Sequence, residues 1–183
     1  MLVLVVGPSG AGKDTLLDIA RTVLMDDPGI RFVRRTVTRP AGAGGEAHDA
    51  LSAEAFAAKR DAGAFALHWE AHGLSYGLPA DIAADIADGR IVVANVSRAV
   101  IAQAAGMFPL RVIEITAPPE VLAERLAGRG RESPADIARR LARSAALPPD
   151  IRVETIVNDA TPQEAATRLI GSLIRAARSA RRS

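Results

Sequence analysis

The chain is 183 residues long, enough for one domain with a real core, and its 49% hydrophobic content rests on Ala, Val, Leu and Ile, since only 3% of residues are aromatic. It contains no cysteine, which excludes disulfides and thiolate metal sites and fits a reducing compartment. With a net charge of +2, no signal-peptide pattern at its start and no apolar run near the roughly 20 residues that cross a bilayer, the chain is expected to be soluble and cytoplasmic, without a membrane partner.

In chain order, residues 2–6 (Leu-Val-Leu-Val-Val) form an apolar, β-branched run closed by Gly7, the pattern of a buried parallel strand. Past a Gly-rich loop, Leu16, Leu17, Ile19, Ala20, Val23 and Leu24 recur at helical spacing until Asp26-Asp27-Pro28-Gly29 stops the helix. Residues 31–80 break this rhythm: they are polar and Gly-rich, with strand-like pieces at 31–37, 65–69 and 74–77 and one helix over 53–62. Buried strands are expected again at 91–94, 110–115 and 155–157, with helical patterns following at 98–105, 119–127 and 162–178. Strands alternating with helices predict an α/β fold around a doubly wound parallel sheet. The core is expected at 1–30 and 81–183 of a single domain, with an insert over about 31–80 and an Arg/Gly-rich lid over about 128–136. The run Arg175, Arg178, Arg181 and Arg182 lacks interleaved aromatics and closes a helix, where cations suit the dipole, so no nucleic-acid partner is expected.

Gly7-Pro8-Ser9-Gly10-Ala11-Gly12-Lys13-Asp14 has the spacing of a phosphate-binding P-loop, except in its last place. Glycines let backbone N–H groups turn inward on a phosphate, and the following helix N-terminus adds its positive dipole end. Lys13 is the residue to reach the β- and γ-phosphates of ATP. Asp14 stands where Ser or Thr normally gives Mg²⁺ a hydroxyl; its carboxylate is the expected metal ligand, with Thr15 as the alternative.

These pieces, with Thr38-Arg39-Pro40, Gly45-Glu46, Ser75-Tyr76-Gly77, residues 125–130, residues 137–141 and Val157-Asn158-Asp159, together resemble the guanylate kinase group of P-loop kinases. The resemblance implies an ATP core, an acceptor-binding insert and a closing lid. It also implies that Arg39 and Tyr76 grip the acceptor's phosphate, that Lys13, Arg129 and Arg140 (Arg131 less strongly) act on the transferring group, and that Asn158 lies toward adenine.

Departures from that group narrow the acceptor. A second phosphate-binding arginine is missing from Pro40-Ala41-Gly42, and the positions that read guanine carry His68, Leu78 and His48. All three histidines, His48, His68 and His72, fall in the insert, where imidazole replaces a carboxylate acceptor and suits a second anionic group better than a base. Gly12-Lys13-Asp14, Leu67-His68-Trp69 and Asn95-Val96-Ser97-Arg98 resemble the ribose 1,5-bisphosphate phosphokinase family. That resemblance implies a sugar bisphosphate acceptor converted to 5-phosphoribosyl 1-diphosphate (PRPP) within phosphonate use, with His48, His68, Ser97 and Arg98 beside Arg39 and Tyr76 on the substrate. Asn95 is placed to orient magnesium or ribose hydroxyls. A nucleoside monophosphate kinase and a non-catalytic guanylate-kinase-like module are the alternatives, and monomer and homodimer are both left open.

Overall fold

A computed structural model describes residues 1–40, 48–128 and 151–182. Five parallel strands form the main sheet: β1 (Leu2–Val6), β2 (Ile30–Phe32), β7 (Ile91–Asn95), β8 (Leu110–Thr116) and β9 (Val153–Val157), in the order β2-β7-β1-β8-β9. The order places β1 centrally, hydrogen-bonded to β7 on one side and β8 on the other, with Leu2 opposite Val92 and Leu110.

Both faces of β1 are covered, which is why its sequence is apolar without alternation. Val3 and Val5 point into a layer with Leu16, Leu17, Leu169 and Leu173 from helices α1 (Lys13–Val23) and α6 (Pro162–Ala180). Leu2, Leu4 and Val6 point the other way, toward Ile82 of α3 (Ile82–Ala87) and Ile101 and Ala104 of α4 (Ile101–Ala105). Each large side chain so enclosed contributes roughly 1.5–3 kcal/mol. The remaining core helix, α5 (Pro119–Ala127), has Pro at its first turn, where a missing N–H does no harm.

A second, four-stranded sheet comes from the middle of the chain: β3 (Thr36–Val37), β4 (Asp49–Ala50), β5 (Phe65–Ala71) and β6 (Leu74–Pro79), in the order β4-β3-β6-β5. Helix α2 (Ala53–Asp61) starts at Ser52, whose hydroxyl accepts from the Ala55 N–H at 3.1 Å. Hairpin β5–β6 turns through His72 (φ 54°) and Gly73 (φ 72°), both left-handed, between the paired Ala71 and Leu74. His72 is therefore a turn residue.

The strand-like piece expected at 31–37 divides. Ile30–Phe32 joins the edge of the main sheet beside β7, whereas Thr36–Val37 pairs with β6. Helix α3 has no counterpart among the expected elements, since six residues between Pro79 and Gly89 carry too short a period to be read. Among the described residues no helix is long and apolar enough to cross a membrane.

Candidate active site

The loop after β1 opens at the carboxyl edge of the sheet, beside the point where strand order reverses and open α/β sheets take their ligands. Its turns need glycine. Gly7, Gly10 and Gly12 have φ of 144°, 87° and 85°, and a Cβ on Gly7 would stand 1.9 Å from the Ile115 carbonyl oxygen. Lys13, first residue of α1, folds back so that Nζ donates to the carbonyl oxygens of Gly7 at 2.8 Å and Pro8 at 2.9 Å. Its charge therefore rests against the loop backbone at Gly7 and Pro8.

Asn158 braces this loop from below. Its Nδ2 donates to the Ala11 carbonyl at 2.9 Å, its N–H donates to the Thr116 carbonyl at 2.7 Å, and the residue is 3% exposed. The side chain packs against the phosphate loop, where a Cβ on Gly12 would meet its amide nitrogen at 2.5 Å.

Asp14 lies in the first turn of α1, and Nδ2 of Asn95, at the carboxyl end of β7, donates to its Oδ1 at 2.8 Å. Thr15 is exposed. Among the described residues no group of three or more His, Asp or Glu stands ready to hold a metal.

The second sheet brings some of the residues singled out in the insert together and separates others. The Thr38 hydroxyl accepts from the Ser75 N–H at 2.8 Å and the Thr38 N–H donates to the Ser75 carbonyl, tying the start of the Arg39 loop to β6. The His48 ring nitrogen Nε2 lies 3.4 Å from the Arg39 carbonyl oxygen. Tyr76 is 7% exposed and stacks on Trp69 with ring centroids 5.3 Å apart and planes 9° from parallel. Arg35, which the sequence did not single out, lies over the Tyr76 ring at 5.5 Å.

His68 departs from the expectation. The register pairs Trp69 with Tyr76 and His68 with Gly77, so His68 is exposed on the face opposite Tyr76. His68 and Tyr76 thus do not converge on one pocket. At the end of β7, the Ser97 hydroxyl caps a short 3₁₀ turn by accepting from the Ala99 N–H at 3.3 Å. Arg98 forms a largely buried ion pair with Glu114 of β8, a partner the sequence reading missed because only the folded sheet brings positions 98 and 114 together. Arg129, Arg131, Arg140, the lid over 128–136 beyond Gly128, and Gly45-Glu46 lie outside the described residues.

The chain is 51% identical over 173 residues to ribose 1,5-bisphosphate phosphokinase PhnN of Methylobacterium radiotolerans, covering 94% of this chain and 96% of that one. The chain belongs to the ribose 1,5-bisphosphate phosphokinase family. Within this family it is also 51% identical over 172 residues to the bifunctional ribose 1,5-bisphosphokinase-thymidine phosphorylase of Azorhizobium caulinodans, where the match covers 93% of this chain but only 25% of that longer protein. No family model matches the chain. The guanylate kinase of Anaplasma phagocytophilum shares the fold, with a TM-score of 0.69 at 19% identity over 96% of this chain and 85% of that one. The expected α/β P-loop kinase fold with a doubly wound parallel sheet is thus the fold of this family member.

Proposed function

We propose that this chain transfers the γ-phosphoryl group of ATP to the C1 phosphate of ribose 1,5-bisphosphate, giving PRPP and ADP, in the service of phosphonate use in the cytoplasm. The observation that carries this reading is the phosphate loop with Lys13 folded over it, in a chain half identical along nearly its whole length to ribose 1,5-bisphosphate phosphokinases.

An oxygen of the C1 phosphate attacks the γ-phosphorus in line. The new P–O bond forms as the bond to the β-phosphate oxygen breaks, and ADP leaves. The nucleophile is already an anion, so the site needs no strong general base and works by positioning and charge neutralisation. Lys13 and the inward amides of residues 7–15 hold the β- and γ-phosphates. Asp14 is the proposed protein ligand to Mg²⁺, which when bound neutralises charge on the triphosphate. Arg39, with His48 at its backbone, and the Tyr76 hydroxyl hold the accepting phosphate. Arg129 and Arg140 are proposed to close over the reacting group and exclude water, since an open site would hydrolyse ATP. Asn158 acts by holding the loop in shape. Arg98 acts near the acceptor through its pairing with Glu114.

The test is direct: purified protein with ATP, Mg²⁺ and ribose 1,5-bisphosphate, followed by phosphorus NMR. PRPP is expected, and Lys13→Ala is expected to cut turnover by about 10²–10³-fold, the effect of removing one preorganised charge-stabilising donor. Comparable turnover with GMP in a parallel reaction would instead assign the chain to the nucleotide kinases.

A further inference from the structure

P-loop NTPases usually hold Mg²⁺ with the Ser or Thr hydroxyl that follows the loop lysine and with an aspartate at the end of a neighbouring strand. Here the two positions carry the opposite groups. The residue after Lys13 is a carboxylate, Asp14, and the residue at the carboxyl end of β7 is an amide, Asn95. They are 81 positions apart in sequence and joined by Asn95 Nδ2 donating to Asp14 Oδ1 at 2.8 Å. We propose that the magnesium–nucleotide site of this chain is an exchanged pair: the anionic ligand has moved from the strand to the loop helix, and Asn95 is the positioning residue that aims it. This rests on the ATP-dependent reading above.

Several observations support the exchange. A carboxylate only accepts hydrogen bonds, so the amide nitrogen of Asn95 must be the atom that faces it. Asn95 is 5% exposed and paired in the sheet opposite Val5, so its side chain is held by the fold and projects on the α1 side. Asp14 Oδ2 has no hydrogen-bond partner among the described residues, which leaves one carboxylate oxygen for a hard cation. The charge count agrees: hydroxyl plus carboxylate carries −1, and so does carboxylate plus amide. Asp14 therefore adds no negative charge beside the triphosphate relative to the usual pair. Glu114, also near this edge, is neutralised by Arg98. Thr15, the alternative ligand, is exposed one position further along α1.

The consequence is that the two positions are coupled and reversible as a pair. Asp14→Ser alone leaves a charge of zero, Asn95→Asp alone leaves −2, and the two together restore −1 with a hydroxyl and a carboxylate in the usual places. The experiment is calorimetric titration of ADP into the full chain with and without Mg²⁺, for the unmodified protein, both single variants and the double variant. Each single variant is expected to lower the Mg²⁺-dependent gain in ADP affinity about tenfold or more, as loss of a metal ligand or its supporting hydrogen bond does. The double variant is expected to recover most of that loss.

Losses that simply multiply in the double variant, or an Asp14→Ser variant with the full Mg²⁺ gain, would overturn the proposal. Should Asn95→Asp fail to fold, Asn95→Ala serves: it removes the donor without adding charge. It is expected to reduce the Mg²⁺-dependent gain about tenfold while leaving metal-free ADP affinity within about threefold. A loss of metal-free affinity as large as the loss with Mg²⁺ would overturn the positioning role. A chain that makes no PRPP but shows the paired titration pattern would sink the sugar substrate alone, and a chain that makes PRPP without the pattern would sink the exchange alone.

Discussion

Two glycines of the phosphate loop show how one residue's backbone sets what the site can hold. Gly12 sits at φ 85°, and an added Cβ would stand 2.5 Å from the Asn158 amide nitrogen. The left-handed backbone alone makes Gly12→Ala cost about 1–2 kcal/mol, and displacing Asn158 removes the brace under Ala11. Gly7 is more restrictive, because the atom in the way, the Ile115 carbonyl oxygen at 1.9 Å, belongs to a central strand that cannot move aside. Gly7→Ala is therefore expected to lower the melting temperature further than Gly12→Ala, while both abolish ADP binding by calorimetry. Equal melting temperatures would show that the loop, not the strand, yields at Gly7. At this scale the spacing of glycines and lysine was readable from the sequence. The brace was not, because Asn158 meets Ala11 from 147 positions away.

Among the elements, the β5–β6 hairpin decides which insert side chains share a pocket. Its two-residue turn at His72 and Gly73 sets the register, and in a strand one step of register moves a side chain to the other face. Read as neighbours in sequence, His68 and Tyr76 look like two parts of one acceptor site; paired as strands, they face opposite ways. Tyr76 and Trp69 stack within the core layer that also holds Leu67, Leu78 and Val37. Tyr76→Ala is expected to cost about 3–5 kcal/mol of stability, as loss of a buried aromatic does. Tyr76→Phe keeps the stack, so its melting temperature is expected to stay close to that of the unmodified protein while KM for the sugar bisphosphate rises. An unchanged KM in Tyr76→Phe would remove the hydroxyl from the acceptor grip. His68→Ala is expected to leave KM for the acceptor near its unmodified value, because that ring lies on the other face.

The whole molecule is tied across its parts by a charged cluster around Asp85. Burial opposes charge on this α3 carboxylate. Yet the Arg31 guanidinium, from β2, and Arg90, just before β7 and 3.0 Å from Oδ1, together hold its pKa below the ordinary value. Arg31 also reaches Asp81 at 3.0 Å. The side chain of Asp85 is 11% exposed against 33% for Arg31, so water screens the arginine more than the acid. A carboxyl with a lowered folded pKa contributes stability that is present above its unfolded value of about 3.9 and is lost as pH falls through the folded value. Asp85→Asn is thus expected to cost about 2 kcal/mol at neutral pH, or roughly 4–8 °C in Tm for a chain of this size. The gap to the unmodified protein should narrow as pH drops below about 4. Circular dichroism melts from pH 7 to pH 3 check this, and a gap independent of pH would exclude the linkage.

The sequence by itself determined the alternation of strands and helices, the phosphate loop and its lysine, and the family likeness. Those signals are local: hydrophobic period, glycine placement and residue spacing are written within a few turns of chain. Only the tertiary structure decided that Asn158 braces the loop, that Asn95 meets Asp14, that Arg98 pairs with Glu114, and that His68 and Tyr76 part company. The first three depend on strand order, which brings residues 16 to 147 positions apart within hydrogen-bonding reach, and the last on the register of one hairpin; no local pattern carries either.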